Sequence, residues 1–102
     1  MTTLGIDHLG LTVSDLEASR NFFVDCLVWD EFGGNPAYPS AYVTNGHAKF
    51  TLWQQRGDGR RTFDRHLQVG LHHTALKVPD LDALEGLFGQ VKDWPGVEVE
   101  FA

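Results

Sequence analysis

Two histidines, His8 and His73, stand 65 residues apart in matching surroundings. A neutral imidazole suits Zn, Fe, Ni or Mn, best with carboxylate help. Two such rings alone make a weak site. The chemistry open to the pair therefore turns on whether the rings meet and on what third group joins them. Their settings repeat too. A shift of 65 lays Ile6 to Leu16 (I-D-H-L-G-L-T-V-S-D-L) on Leu71 to Leu81 (L-H-H-T-A-L-K-V-P-D-L). Between residues 5 and 23, eight of 19 positions are identical: Gly5, His8, Leu11, Val13, Asp15, Leu16, Ala18 and Phe23. A repeat of that length is a supersecondary unit used twice.

The histidines need elements to hold them, and composition sets the frame. The chain has 102 residues, 42% apolar and 22% charged, which indicates one folded domain. A net charge of −6 argues against nucleic acid as a partner. No apolar run reaches membrane-spanning length, and the N-terminal residues lack the pattern of a signal peptide. The single cysteine, Cys26, excludes an internal disulfide and points to a reducing cytoplasm. It lies in an apolar helical segment, which fits a packed core thiol.

Ile6 to Val13 reads as a strand. Leu9, Leu11 and Val13 share one face; His8, Gly10 and Thr12 share the other, a small polar face suited to a cavity wall. Ser14 and Glu17 have the spacing of a capping box, which predicts a helix to about Leu27. Leu16, Ser19, Phe23 and Cys26 or Leu27 should lie on the sheet. Val28 to Phe32 and Ala41 to Thr44 read as further strands. Asn45-Gly46 signals a hairpin leading into a fourth strand, His47 to Gln54. Residues 1–55 thus form a β-α-β-β-β unit. Residues 56–70 form a linking loop that carries Arg56, Arg60, Arg61 and Arg65, either a solvated linker or a cluster for an anionic substrate. Residues 71–102 form a second unit: a strand from Leu71, a helix of about Leu81 to Val91 capped by Asp80, and a strand from Val97 to Phe101. It is β-α-β, two strands short of the first unit's plan. His47 and His66 read as surface residues. Trp29, Trp53, Tyr38 and Tyr42 serve as stacking surfaces or as core.

The phrase H-L-G-L-T-V-S-D-L-E-A-S-R-N-F-F, with L-H-H-T-A-L-K-V-P-D-L-D-A-L about 65 residues on, resembles the vicinal oxygen chelate superfamily. That group includes glyoxalase I, extradiol dioxygenases and bleomycin-resistance proteins. The resemblance implies an α+β fold of paired βαβββ modules curved around a metal, here with an incomplete second module. It implies that the first strand of each unit supplies a ligand, which places the metal on His8 and His73. His72 is the rival of His73, but it aligns with Asp7 and faces the other way. Thr51 stands where glyoxalase I has a carboxylate, and the last acidic ligand would fall on a strand this chain does not contain. Glu98 and Glu100 are acidic candidates by type alone. The superfamily commonly has glycine just after the first helix, where a left-handed residue is needed; this chain has Leu27-Val28-Trp29.

The expectation is a metal-dependent enzyme of glyoxalase or dioxygenase type, or a shortened relative. It would use Fe, Mn, Zn or Ni on a small oxygen-bearing substrate, and Thr51 favours dioxygenase-like chemistry. The alternatives are a metal-free protein that sequesters a small molecule and an inactive truncated product. An incomplete second unit leaves sheet edges and apolar surface to be covered, so a homodimer is expected.

Overall fold

The structure is a computed structural model that describes residues 1–57 and 61–100. Arg60 and Phe101 therefore lie outside the described residues. The fold is α+β. A mixed sheet of four strands is built from β1 (Leu9–Val13), β2 (Asp30–Gly33), β3 (Ser40–Thr44) and β4 (Lys49–Gln54), in the order β1-β4-β3-β2. β1 runs parallel to β4, with Gly10 opposite Thr51 and Thr12 opposite Trp53. β3 is antiparallel to β4, and β2 to β3.

Alternation along the strands sorts two faces. Ala41, Val43, Phe50 and Leu52 are buried on the inner face, with Leu9, Leu11 and Val13 packed against them. α1 (Leu16–Asn21) and the turn after it cover that face. Phe23, Trp29 and Phe50 pack ring on ring there, with centroids 5.1 to 5.5 Å apart, so Trp29 is core. Cys26 is buried, as its apolar setting predicts.

The start of α1 differs from the capping-box expectation. Asp15, not Ser14, is the cap: its carboxylate accepts from Ala18 N at 3.1 Å. Asp80 does the same for Ala83 N at 2.8 Å at the head of α2 (Leu81–Val91). Gln54 of β4 supplies what a capping box would have. Its Oε1 accepts from Leu16 N, and its Nε2 donates to Ser14 O. The carboxamide thus ties the helix start to the sheet and satisfies one of the N–H groups that a helix end leaves free.

The helix ends in a widened π-turn over Phe22–Cys26, where Leu27 N donates to Phe22 O at 3.0 Å. Trp29 N reaches back to Phe23 O at 2.9 Å. Between these bonds Val28 takes φ +60°, the left-handed conformation that glycine usually supplies after a helix. The chain carries a β-branched residue through it.

The hairpin between β3 and β4 is a four-residue loop. Gly46 has φ +93°, and Asn45 Oδ1 accepts from the N–H groups of both His47 and Ala48. β4 therefore starts at Lys49 rather than His47.

The second unit departs most from expectation. Of its three predicted elements only α2 forms; residues 71–78 and 97–100 make no sheet pairing among the described residues. A strand is stable through its ladder. The first unit's strands supply ladders to one another, whereas these two segments have none. α2 buries no residue, with Leu84 50% and Phe88 40% exposed. The radius of gyration, 15.0 Å, exceeds the roughly 13 Å of a compact 100-residue domain. A molecule that packed its second unit tightly would be smaller.

Candidate functional site

The outer face of the sheet carries the polar and aromatic residues. Gly10, Thr51 and Tyr42 are laterally paired on β1, β4 and β3. Phe32 sits at the irregularity where β2 pairs with β3. The rings make a continuous strip across the sheet: Phe32 to Tyr42 at 5.8 Å, Tyr42 to Trp53 at 5.8 Å, and Trp53 to Tyr38 at 5.7 Å. The small residues expected on β1 make room for this strip. A Cβ on Gly10 would stand 3.2 Å from Thr51 Oγ1 and 3.6 Å from Trp53 Nε1.

Two shallow hollows share Trp53 as a wall. One, of about 300 Å³, is lined by His8, Phe32, Tyr42, Thr51 and Trp53, with Asp7 and Lys49. The other, of about 370 Å³, is lined by Asn35, Ala37, Tyr38, Trp53 and Arg56. Both lie at the small end of the range for ligand sites, roughly 300–1,000 Å³. A larger hollow of about 870 Å³ opens along β1, the edge strand, between its Gly10 to Ser14 stretch and Phe63 and Leu71. Its described walls follow an unpaired strand edge and carry no acid–base pair.

β1 begins at Leu9 rather than Ile6, so His8 stands just before the strand, in the wall of the first of these hollows. Its Nδ1 is 2.8 Å from Asp7 Oδ2, which leaves Nε2 as the ring's other polar atom. That hydrogen bond, with the positive charge of Lys49, holds the Asp7 carboxyl below its ordinary value of 3.8. Thr51 is 8% exposed, and its hydroxyl oxygen accepts from the Trp53 indole N–H at 3.0 Å. The position expected to hold a carboxylate thus serves to orient a ring.

His73 is placed differently. Its Nδ1 is 2.8 Å from the Nδ1 of His72, so one ring donates and the other accepts. The His66 ring meets His72 edge-on at 5.7 Å. The hollow that contains His8 is not lined by His73. Glu100 is paired with Arg65 at 2.7 Å. Among the described residues no group of three or more His, Cys, Asp and Glu side chains is arranged to hold a metal ion. In the hollow of His8, Asp7 is bonded to the His8 ring itself and Thr51 to Trp53. This arrangement does not fit a three-donor metal centre.

The described arginines of the loop, Arg56, Arg61 and Arg65, go to three different places. Arg65 pairs with Glu100, Arg61 lines the hollow beside β1, and Arg56 stacks on Tyr38 with its guanidinium carbon 3.9 Å from the ring centroid. Sequence reasoning missed the Arg56–Tyr38 contact and the Gln54 clamp. Hairpin register could have found the first. Ser40 opposite Trp53, extended by the Gln54 N–H to Pro39 O bond, brings the residue before β3 beside the end of β4.

A βαβββ unit with a ligand-sized hollow on its open face is a recurring design, and sequence comparison places it. The sequence model of the Glyoxalase/Bleomycin resistance protein/Dioxygenase superfamily matches residues 5–100, and the chain belongs to that superfamily. Among curated proteins none matches significantly. Solved structures do. A glyoxylase/bleomycin resistance protein/dioxygenase domain from Frankia sp. EAN1pec is 27% identical with a TM-score of 0.76, covering 88% of this chain and 68% of that one. A lactoylglutathione lyase from Agrobacterium tumefaciens is 19% identical (TM-score 0.64, covering 90% and 71%). An integron cassette protein from the mobile metagenome of V. cholerae is 24% identical (TM-score 0.63, covering 100% and 75%). The last two likenesses show the fold alone. No helix among the described residues is long and apolar enough to cross a membrane.

Proposed function

We propose that this chain binds a small molecule on the open face of its sheet, as a sequestering module of the superfamily. The observation that carries this reading is the strip of four rings, Phe32, Tyr42, Trp53 and Tyr38, set beside His8 on a face that no element of the first unit covers. Rings presented with one face open bind planar apolar groups by stacking and burial. Thr51 fixes the Trp53 indole, so the platform is formed before the ligand arrives, which lowers the cost of binding. His8 and Asp7 add a polar edge. Tryptophan fluorescence of metal-stripped protein against a panel of small aromatic compounds tests the reading. Quenching that is lost in Trp53→Phe is expected; silence across the panel would end it.

A second reading keeps the metal that the superfamily resemblance implies, with a divalent ion (Fe, Mn, Zn or Ni) on His8 and His73 and glyoxalase- or dioxygenase-type chemistry. The repeat supports it, because the two histidines hold the same place in both copies. It requires His73 to part from His72 and come to the hollow of His8, with a third ligand besides. Metal content of protein purified without added metal, in His8→Ala and His73→Ala variants, decides it: content unchanged in both sinks the metal pair.

A further inference from the structure

The second hollow differs from the first in its charge. Among the described residues its walls hold one cation, Arg56, and no carboxylate, in a chain whose net charge is −6. Arg56 makes no hydrogen bond or ion pair with a described residue; it lies over the face of Tyr38. That stack fixes the plane of the guanidinium and leaves its N–H edge free to donate. The Tyr38 hydroxyl is already committed, donating to Gln54 O, so it offers no competing donor. Asn35 directs its Oδ1 to Ala37 N at 2.9 Å, which leaves its amide N–H groups as further donors in the same hollow. Trp53 closes the hollow and is also the wall of the hollow at His8.

From this we infer that the ligand of the open face is an aromatic anion. A planar ring lies on the Trp53 side of the strip, and its carboxylate, or another planar oxyanion, meets the edge of Arg56. The inference rests on the ligand-binding reading above and adds the charge and shape of the ligand to it. The chemistry is that of a bidentate guanidinium–carboxylate pair beside a stacking platform. The chain's overall negative charge opposes anions, and among the described residues Arg56 is the cation of the aromatic strip whose hollow carries no carboxylate, so it sets where an anion is held there.

The test compares 2-naphthoate with its neutral isostere 2-naphthamide, binding to the full chain followed by NMR at the Trp53 indole N–H. That signal is assigned through Trp53→Phe. Naphthoate is expected to shift it and to bind about tenfold more tightly than the amide, the size of a charge-assisted hydrogen bond at an exposed site. Arg56→Gln should remove that tenfold preference by weakening naphthoate more than the amide, and Arg56→Lys should keep only part of it because a point charge lacks the fork. Raising the salt concentration should weaken naphthoate binding alone. Equal affinity for acid and amide in the wild type would overturn the anion site while leaving the ligand-binding face intact. Failure of both compounds to move the indole signal at millimolar concentration would overturn both.

Discussion

Val28 is the residue through which the chain's backbone plan can be tested energetically. It holds φ +60° at the end of the π-turn and is 79% exposed. A side chain in the left-handed region costs about 1–2 kcal/mol, and β-branching puts valine at the upper end. Val28→Gly removes that strain. Little burial is lost, about 0.4 kcal/mol for the covered fifth of a valine. The glycine adds freedom to the unfolded chain, which costs about 0.5–1 kcal/mol. The net is a gain of about 0.5 kcal/mol, or roughly 2–4 °C in Tm for a domain of this size. Val28→Ala should fall between the two, since it loses the branch and keeps the Cβ. Val24→Gly, within the turn, is the control and should lower Tm. Thermal unfolding followed by circular dichroism reads all three. A Val28→Gly protein that melts as low as the Val24→Gly control would refute the left-handed assignment and the strain argument with it.

Asp15→Ala should cost about 1 kcal/mol of stability in urea unfolding, the usual value of an N-cap, while Glu17→Ala should stay within error because no capping box forms. The Asp7 carboxyl should titrate below 3.8 by carbon-detected NMR, and His8→Ala should raise it more than Lys49→Met does. The sign follows from a folded-state value that is depressed. Whatever stability Asp7 adds is present above its unfolded value and is lost as pH falls through the folded one; the carboxyl is fully exposed, so the titration and not the melting point is the readout. Phe63, Leu71, Leu84 and Phe88 are exposed, and apolar surface of that kind drives association. Light scattering at micromolar concentration should therefore give at least twice 11.4 kDa; a clean monomer would refute self-association.

The first unit was legible because its signals are local and agree with one another. Strand alternation separated Phe50 and Leu52 from Thr51 and Trp53, and Asn45-Gly46 marked the hairpin. The cap of α1 was misread because S-x-x-E is a strong local pattern. The repeat held the correction, since Asp15 aligns with Asp80, which also caps. The same alternation predicts strand, helix and strand in the second unit. A strand, however, is a property of a pair, and residues 71–78 find no ladder among the described residues. The site was half legible. His8 lies in a cavity wall on the face that alternation implied, although β1 begins one residue after it, at Leu9. The Arg56–Tyr38 stack joins residues from opposite sides of a hairpin, so it follows from the β3–β4 register and not from the spacing of residue types along the chain.

Amide chemical-shift mapping of the labelled protein, titrated with whichever panel compound binds most tightly, tests the central claim most directly. The account predicts shifts concentrated at Gly10, Tyr42, Thr51 and the Trp53 indole, with α2 silent. Shifts confined to α2 or to residues 61–78, or a panel that moves nothing on the open face, would contradict it.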